Sequence, residues 1–166
     1  MVSKKTAPVA VVMGSDSDLA VMQGCVDTLK EFGIEPVVRI ISAHRTPETA
    51  AEFADGAAAK GIKVIIAAAG MAAHLAGALA ARTPLPVIGV PLISANGLGG
   101  VDALLSTIQM PAGVPVATMA IGKAGARNAA ILAAQILALS DDTLAERLAK
   151  FKESQEKKVI EKDSAI

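Results

Sequence analysis

Short apolar runs recur along this chain, and each is followed by a turn and then by a segment of helical periodicity. Val9 to Met13 leads through Gly14-Ser15-Asp16-Ser17-Asp18 to Leu19, Met22, Val26, Leu29 and Phe32 at spacings of three and four, stopped by Gly33. Pro36 to Ile41 leads to a helix over Pro47 to Lys60, stopped by Gly61, and Lys63 to Ala68 leads to a helix over Ala72 to Ala81. Val87 to Val90 is followed by the glycine-rich Pro91 to Gly100 connection and a helix through Ile108, then Val114 to Met119 by a helix over Gly125 to Leu139. Strands apolar at every position are buried on both faces, which in an alternating chain means a parallel sheet with a helical layer on each side. The expected fold class is therefore α/β, a three-layer doubly wound parallel sheet. No linker, repeat or low-complexity tract divides the 166 residues. One domain over 1–166 is expected, with a core of about 8–140 and a charged C-terminal helix of about 141–162.

Charge and composition exclude several classes of partner. The formal net charge is zero, which gives no attraction to nucleic acid or to an anionic membrane. Stacking platforms for single-stranded bases are missing, because the chain has no Trp, no Tyr and three Phe. The single cysteine, Cys25, excludes an internal disulfide and a cysteine-based metal cluster and fits a reducing compartment, so the cytoplasm is expected. Met1 to Pro8 is short, polar and lysine-bearing, unlike a signal peptide. Residues 64–81 reach membrane-span length, but Gly70 and His74 interrupt them, and strand, turn and helix explain the run better. Between Val64 and Ser140 only Arg82, Asp102, Lys123 and Arg127 are charged, so the third, fourth and fifth helices need cover, which points to a homo-oligomer formed through them with the charged terminal helix outside or packed on a neighbour.

In a parallel sheet, ligands bind at the carboxyl ends of the strands. The loops at that edge are Gly14 to Asp18, Ser42 to Thr46, Ala69 to His74 and Pro91 to Gly100. Ser42-Ala43-His44-Arg45-Thr46-Pro47 places a hydroxyl, an imidazole and a guanidinium together just before a helix that starts at proline after a Thr N-cap. Arginine clamps phosphate or carboxylate in bidentate fashion, and histidine is the side chain suited to proton transfer near neutral pH. The chain's other histidine, His74, also lies just beyond a strand end, so two parallel strands deliver both to one edge. Gly14 to Asp18 is neither a Rossmann glycine pattern nor a Walker loop. Its serines suit a phosphate, and its aspartates suit helix caps or sugar hydroxyls. A receiver domain would need an acceptor aspartate after the third strand, where Ala67-Ala68-Ala69 stand, and a flavodoxin would want aromatics against its flavin.

Val11 to Asp18, Ser42 to Pro47, Ala72-Ala73-His74-Leu75, Gly89-Val90-Pro91 and Gln109-Met110-Pro111 together resemble the PurE family, specifically the bacterial N5-carboxyaminoimidazole ribonucleotide mutases of purine biosynthesis. The match runs in order over nearly the whole chain. The resemblance implies a flavodoxin-like fold, usually a homo-octamer with sites built by neighbouring subunits, and no metal or organic cofactor. On the matching positions it makes Ser15, Asp18, Ser42 and Arg45 the binders of the nucleotide's phosphate and ribose, and His44 the general acid/base. Gly70, Met71, Ala72, His74 and Leu75 would line the pocket in which a carboxyl group leaves as carbon dioxide and rejoins the imidazole at C4, without ATP. The chain departs from the family pattern at Ala68 and Met71, where glycines are common, and at Ala76, where proline is. Relatives that carboxylate aminoimidazole ribonucleotide with free carbon dioxide tend to lack the Arg45-Thr46-Pro47 and Ala72 to Leu75 segments, both present here. That carboxylase, or a non-catalytic nucleotide-binding module, is the alternative.

Overall fold

The computed structural model describes residues 7–166, so the reading of the N-terminal stretch falls, up to Thr6, outside the described residues. The elements are β1 (Val9–Met13), α1 (Leu19–Glu31), β2 (Val37–Ile40), α2 (Pro47–Ala57), β3 (Val64–Gly70), α3 (Leu75–Ala80), β4 (Val87–Leu92), α4 (Val101–Ile108), β5 (Ala117–Thr118), α5 (Lys123–Ala138) and α6 (Asp142–Asp163). All strand pairs are parallel, in the order β2-β1-β3-β4-β5. This is the doubly wound order of flavodoxin-like folds, which reverses direction between β1 and β3.

Alternation along the central strands divides the core in two. Val9, Val11 and Met13, with Val64, Ile66 and Ala68, pack under α1, α5 and the start of α6. Ala10, Val12, Ile65, Ala67 and Val87 face Phe53 and Ala54 of α2 and Leu75 and Leu79 of α3. Gly89 leaves room on this second face for α4, because a Cβ there would stand 2.5 Å from Thr107 Cγ2 and 2.9 Å from Val116 Cγ1. Cys25 is buried on the inner side of α1, where desolvation pushes its thiol up to about 12.

The paucity of charge on α5 has its cover within the chain. Ala126, Ala129, Ala130, Ala133 and Ala134 are buried in the cluster shared with α1 and the sheet. The terminal helix is held by the Asp141 cap on the Leu144 N–H (3.0 Å), by the edge-on contact of Phe151 with Phe32, and by Arg147 Nη1, which donates to the Phe32 carbonyl at 2.7 Å. α4 differs, since Val101, Leu105 and Ile108 leave an apolar stripe exposed.

Several elements depart from the expected boundaries. The fifth strand, expected over Val114 to Met119, is reduced to Ala117–Thr118, because Pro115 has no N–H to give the ladder and Gly113 turns at φ +95°. The third helix, expected from Ala72, begins at Leu75. Ahead of it Met71 takes φ +55°, and the N–H groups of Ala73 and His74 donate two residues back, to Met71 (2.9 Å) and Ala72 (2.8 Å). Conversely, β3 and β4 run further than their apolar cores, with Ala69 paired to Pro91 and Gly70 to Leu92.

Candidate active site

Four loops at the carboxyl edge of the sheet enclose a cleft of about 720 Å³ at the crevice between β1 and β3. The first loop is rigidified by its own side chains. Ser15 Oγ accepts from the Ser17 N–H (3.3 Å) while the Asp18 carboxylate accepts from the Ser15 N–H (3.1 Å), a reciprocal capping box over a single 3₁₀ turn. The aspartate thus acts as a cap, one of the roles its position suggested. Burial raises the Asp18 pKa and Asp16 adds to the rise; the N–H groups of Ser15 and Gly14 and the Arg45 guanidinium oppose it.

The second loop ties itself to the first. Ser42 Oγ accepts from the Arg45 N–H at 3.1 Å and from Arg45 Nε at 3.5 Å, and Arg45 Nη2 donates to the Gly14 carbonyl at 3.0 Å. Arg45 therefore crosses from the β2 loop to the β1 loop with part of its five-donor fork still unspent. Thr46 does not cap α2 with its side chain, contrary to the expectation. Its hydroxyl donates to the Ser42 carbonyl (2.9 Å) and accepts from the Ser42 N–H (3.1 Å), closing the loop on itself.

The two histidines meet. His44 Nε2 and His74 Nδ1 are 2.9 Å apart, with ring centroids 5.0 Å apart and planes at 79°. One ring donates and the other accepts, so the contact carries a single proton. Beyond them Gly70, Met71, Ala72 and the edge of Leu75 form a small-residue wall, from which Met71 projects 47% exposed.

All ten residues singled out from the sequence line this one cleft: Ser15, Asp18, Ser42, His44, Arg45, Gly70, Met71, Ala72, His74 and Leu75. The loop after β4 was expected at the same edge, but not its individual contributions, Ile93, Ser94, Ala95 and Asn96. No group of three or more His, Cys, Asp or Glu side chains among the described residues is gathered as a metal site. None of the described helices is long and apolar enough to cross a membrane.

The family model described as AIR carboxylase matches residues 8–158. The N5-carboxyaminoimidazole ribonucleotide mutase of Brucella melitensis is 56% identical over 156 residues, which span 94% of this chain and 96% of that protein. The mutase of the same name from Bacillus subtilis is 50% identical over 158 residues, 95% of this chain and 97% of its own length. Among solved structures, the crystal structure of Treponema denticola PurE matches with a TM-score of 0.85 at 33% identity, covering 95% of this chain and 97% of that one.

Proposed function

This chain belongs to the AIR carboxylase family, and we propose that it acts in purine biosynthesis as a mutase, moving the carboxylate of N5-carboxyaminoimidazole ribonucleotide from the exocyclic nitrogen to ring carbon C4. The observation that carries this reading is the convergence of His44, Arg45 and His74 on one cleft at the β1/β3 crevice. It rests equally on relatives of the same activity at 50–56% identity over nearly the full length.

In this reading the free part of the Arg45 fork clamps the nucleotide's phosphate beside the hydroxyls of Ser15 and Ser42. Asp18 accepts from a ribose hydroxyl. His44 gives a proton to the exocyclic nitrogen as its bond to the carboxyl carbon breaks, and the bonding pair stays on nitrogen while carbon dioxide is released. Gly70 to Leu75 hold that molecule against a small, largely apolar wall. The electron-rich C4 then attacks it, and the proton displaced from C4 returns to His44, so that no proton is gained or lost over the cycle. The reaction needs no ATP, metal or organic cofactor.

The same reading makes the chain one domain, with a core of about 8–140 and a terminal helix, working in the cytoplasm as a homo-oligomer, usually an octamer in such enzymes. Support for assembly comes from the outward stripe of Val101, Leu105 and Ile108 on α4, continued by Leu98. Sedimentation at micromolar concentration should give a mass several times that of one chain; a monomer would remove the proposal of assembly.

The test of function supplies the two nucleotides separately. The N5-carboxylated substrate should be converted in the presence of isotopically labelled bicarbonate with little label in early product. Aminoimidazole ribonucleotide plus bicarbonate should give little product. Heavy early labelling, or preference for the uncarboxylated nucleotide, would instead assign a carbon dioxide-dependent carboxylase.

A further inference from the structure

The polar groups of the cleft divide into those already bonded within the protein and those left free. Ser15, Ser17, Asp18, Ser42 and Arg45 bond one another or the backbone around them, and His44 is bonded to His74. The Ser94 hydroxyl differs, because among the described residues only its backbone carbonyl is engaged, by the Gly97 N–H at 3.0 Å. Ser94 is half-buried, lines the cleft and is fixed beside Gly70: β3 and β4 stay paired to Gly70 and Leu92, and the atom nearest to where a Gly70 Cβ would stand is Ser94 Oγ. Glycine at position 70 is thus what admits this hydroxyl to the wall formed by Gly70, Met71 and Ala72.

We propose that Ser94 is a substrate-contacting residue whose hydroxyl donates to the carboxylate that migrates, and so makes the site prefer carboxylated nucleotides over the bare aminoimidazole ribonucleotide. The placement follows from the ends of the cleft. Arg45, on the β1–β2 side, takes the phosphate in the reading above, which directs the heterocycle and its carboxyl group toward the β3–β4 side where Ser94 stands. The choice of group fits the chemistry. A cation at this point would grip the carboxylate and oppose its loss as neutral carbon dioxide, whereas a hydroxyl gives up one charge-assisted hydrogen bond and rotates to meet the carboxylate again at its new position.

This inference rests on the mutase reading, and one titration series separates the two. Calorimetric titration of the wild-type protein with 4-carboxy-5-aminoimidazole ribonucleotide and with aminoimidazole ribonucleotide should show binding of both; binding of neither would overturn the mutase reading and this inference with it. In Ser94→Ala, affinity for the carboxylated nucleotide should fall about tenfold, the loss of one hydrogen bond to a charged group, while affinity for the uncarboxylated one stays within about twofold. Ser94→Thr, which keeps the hydroxyl, should restore the ratio. Equal losses for both nucleotides in Ser94→Ala, or no loss for either, would overturn the assignment while leaving the mutase reading standing.

Discussion

Met71 is the one non-glycine residue with positive φ among the described residues, and it stands in the wall of the cleft. A left-handed backbone costs an L-residue about 1–2 kcal/mol through the clash of Cβ with the following carbonyl. Glycine escapes that clash but has more freedom to lose on folding, which offsets about 0.4–1 kcal/mol of the gain. Comparing Met71→Gly with Met71→Ala cancels the outer part of the half-exposed side chain, which both lack, and isolates the backbone contribution. The glycine variant should therefore be more stable than the alanine variant by about 0.5–1 kcal/mol, or by about 1–4 °C in Tm for a chain of this size. The chain has no Trp or Tyr, so urea unfolding is followed by far-ultraviolet circular dichroism, at one fixed protein concentration because assembly would shift the midpoint. An alanine variant as stable as the glycine variant, or more stable, would refute the claim that strain is stored at this position.

Three other outcomes can be read in the same way. His44→Asn should keep the fold and nucleotide binding while losing at least ~10²-fold in turnover, whereas Arg45→Ala should act mainly on binding, because a phosphate clamp serves substrate and transition state alike; near-normal turnover of the asparagine variant would remove His44 from the chemistry. Burial raises the Asp18 pKa in the fold, so its contribution to stability is complete below the ordinary aspartate range and is lost as pH rises through the folded value. Asp18→Asn should accordingly gain on the wild type as pH rises above the ordinary aspartate range, and a difference in urea midpoint that does not change with pH would contradict this. Gly89→Ala should destabilise by about 1–3 kcal/mol by pressing a methyl into Thr107 and Val116, and Thr107→Ser should recover part of that loss in the double variant; additive losses would show that the two positions do not meet.

The layered fold was legible because β1, β3 and β4 are buried on both faces and therefore read as unbroken apolar runs, and because Gly33 and Gly61, both at positive φ, end helical segments where expected. Val114-Pro115-Val116 satisfied the same composition rule and was misleading, since pattern reading weighs hydrophobicity while a ladder needs N–H groups. Alanine favours helix, so composition places Ala72 and Ala73 in α3, yet the left-handed Met71 turns the chain just before them and commits the N–H of Ala73 to a tight turn. The role of Thr46 was missed for a similar reason. Hydroxyl residues bond whichever backbone group is near, and here Ser42 is closer to hand than the first turn of α2. Ser94 was out of reach of the sequence because its position depends on the β3–β4 register running two residues beyond the apolar core of β4, through a proline.

The meeting of the two histidines follows from the handing of the connections. The loop after β1 feeds α1, which packs on one face of the sheet, whereas the loops after β2 and β3 feed α2 and α3, which share the other face. β1 lies between β2 and β3, so the chain leaving β1 turns away from both neighbours and opens a crevice at its own carboxyl end. His44 and His74 leave their strands toward the same face and come within 2.9 Å across the width of β1. Arg45 points back across the crevice and reaches the Gly14 carbonyl on the opposite lip. Had α2 packed on the α1 face, the same residues at the same strand ends would have put His44 and His74 on opposite sides of the sheet. The sequence can place both at one edge, but only the strand order and the face taken by each helix bring them into one site.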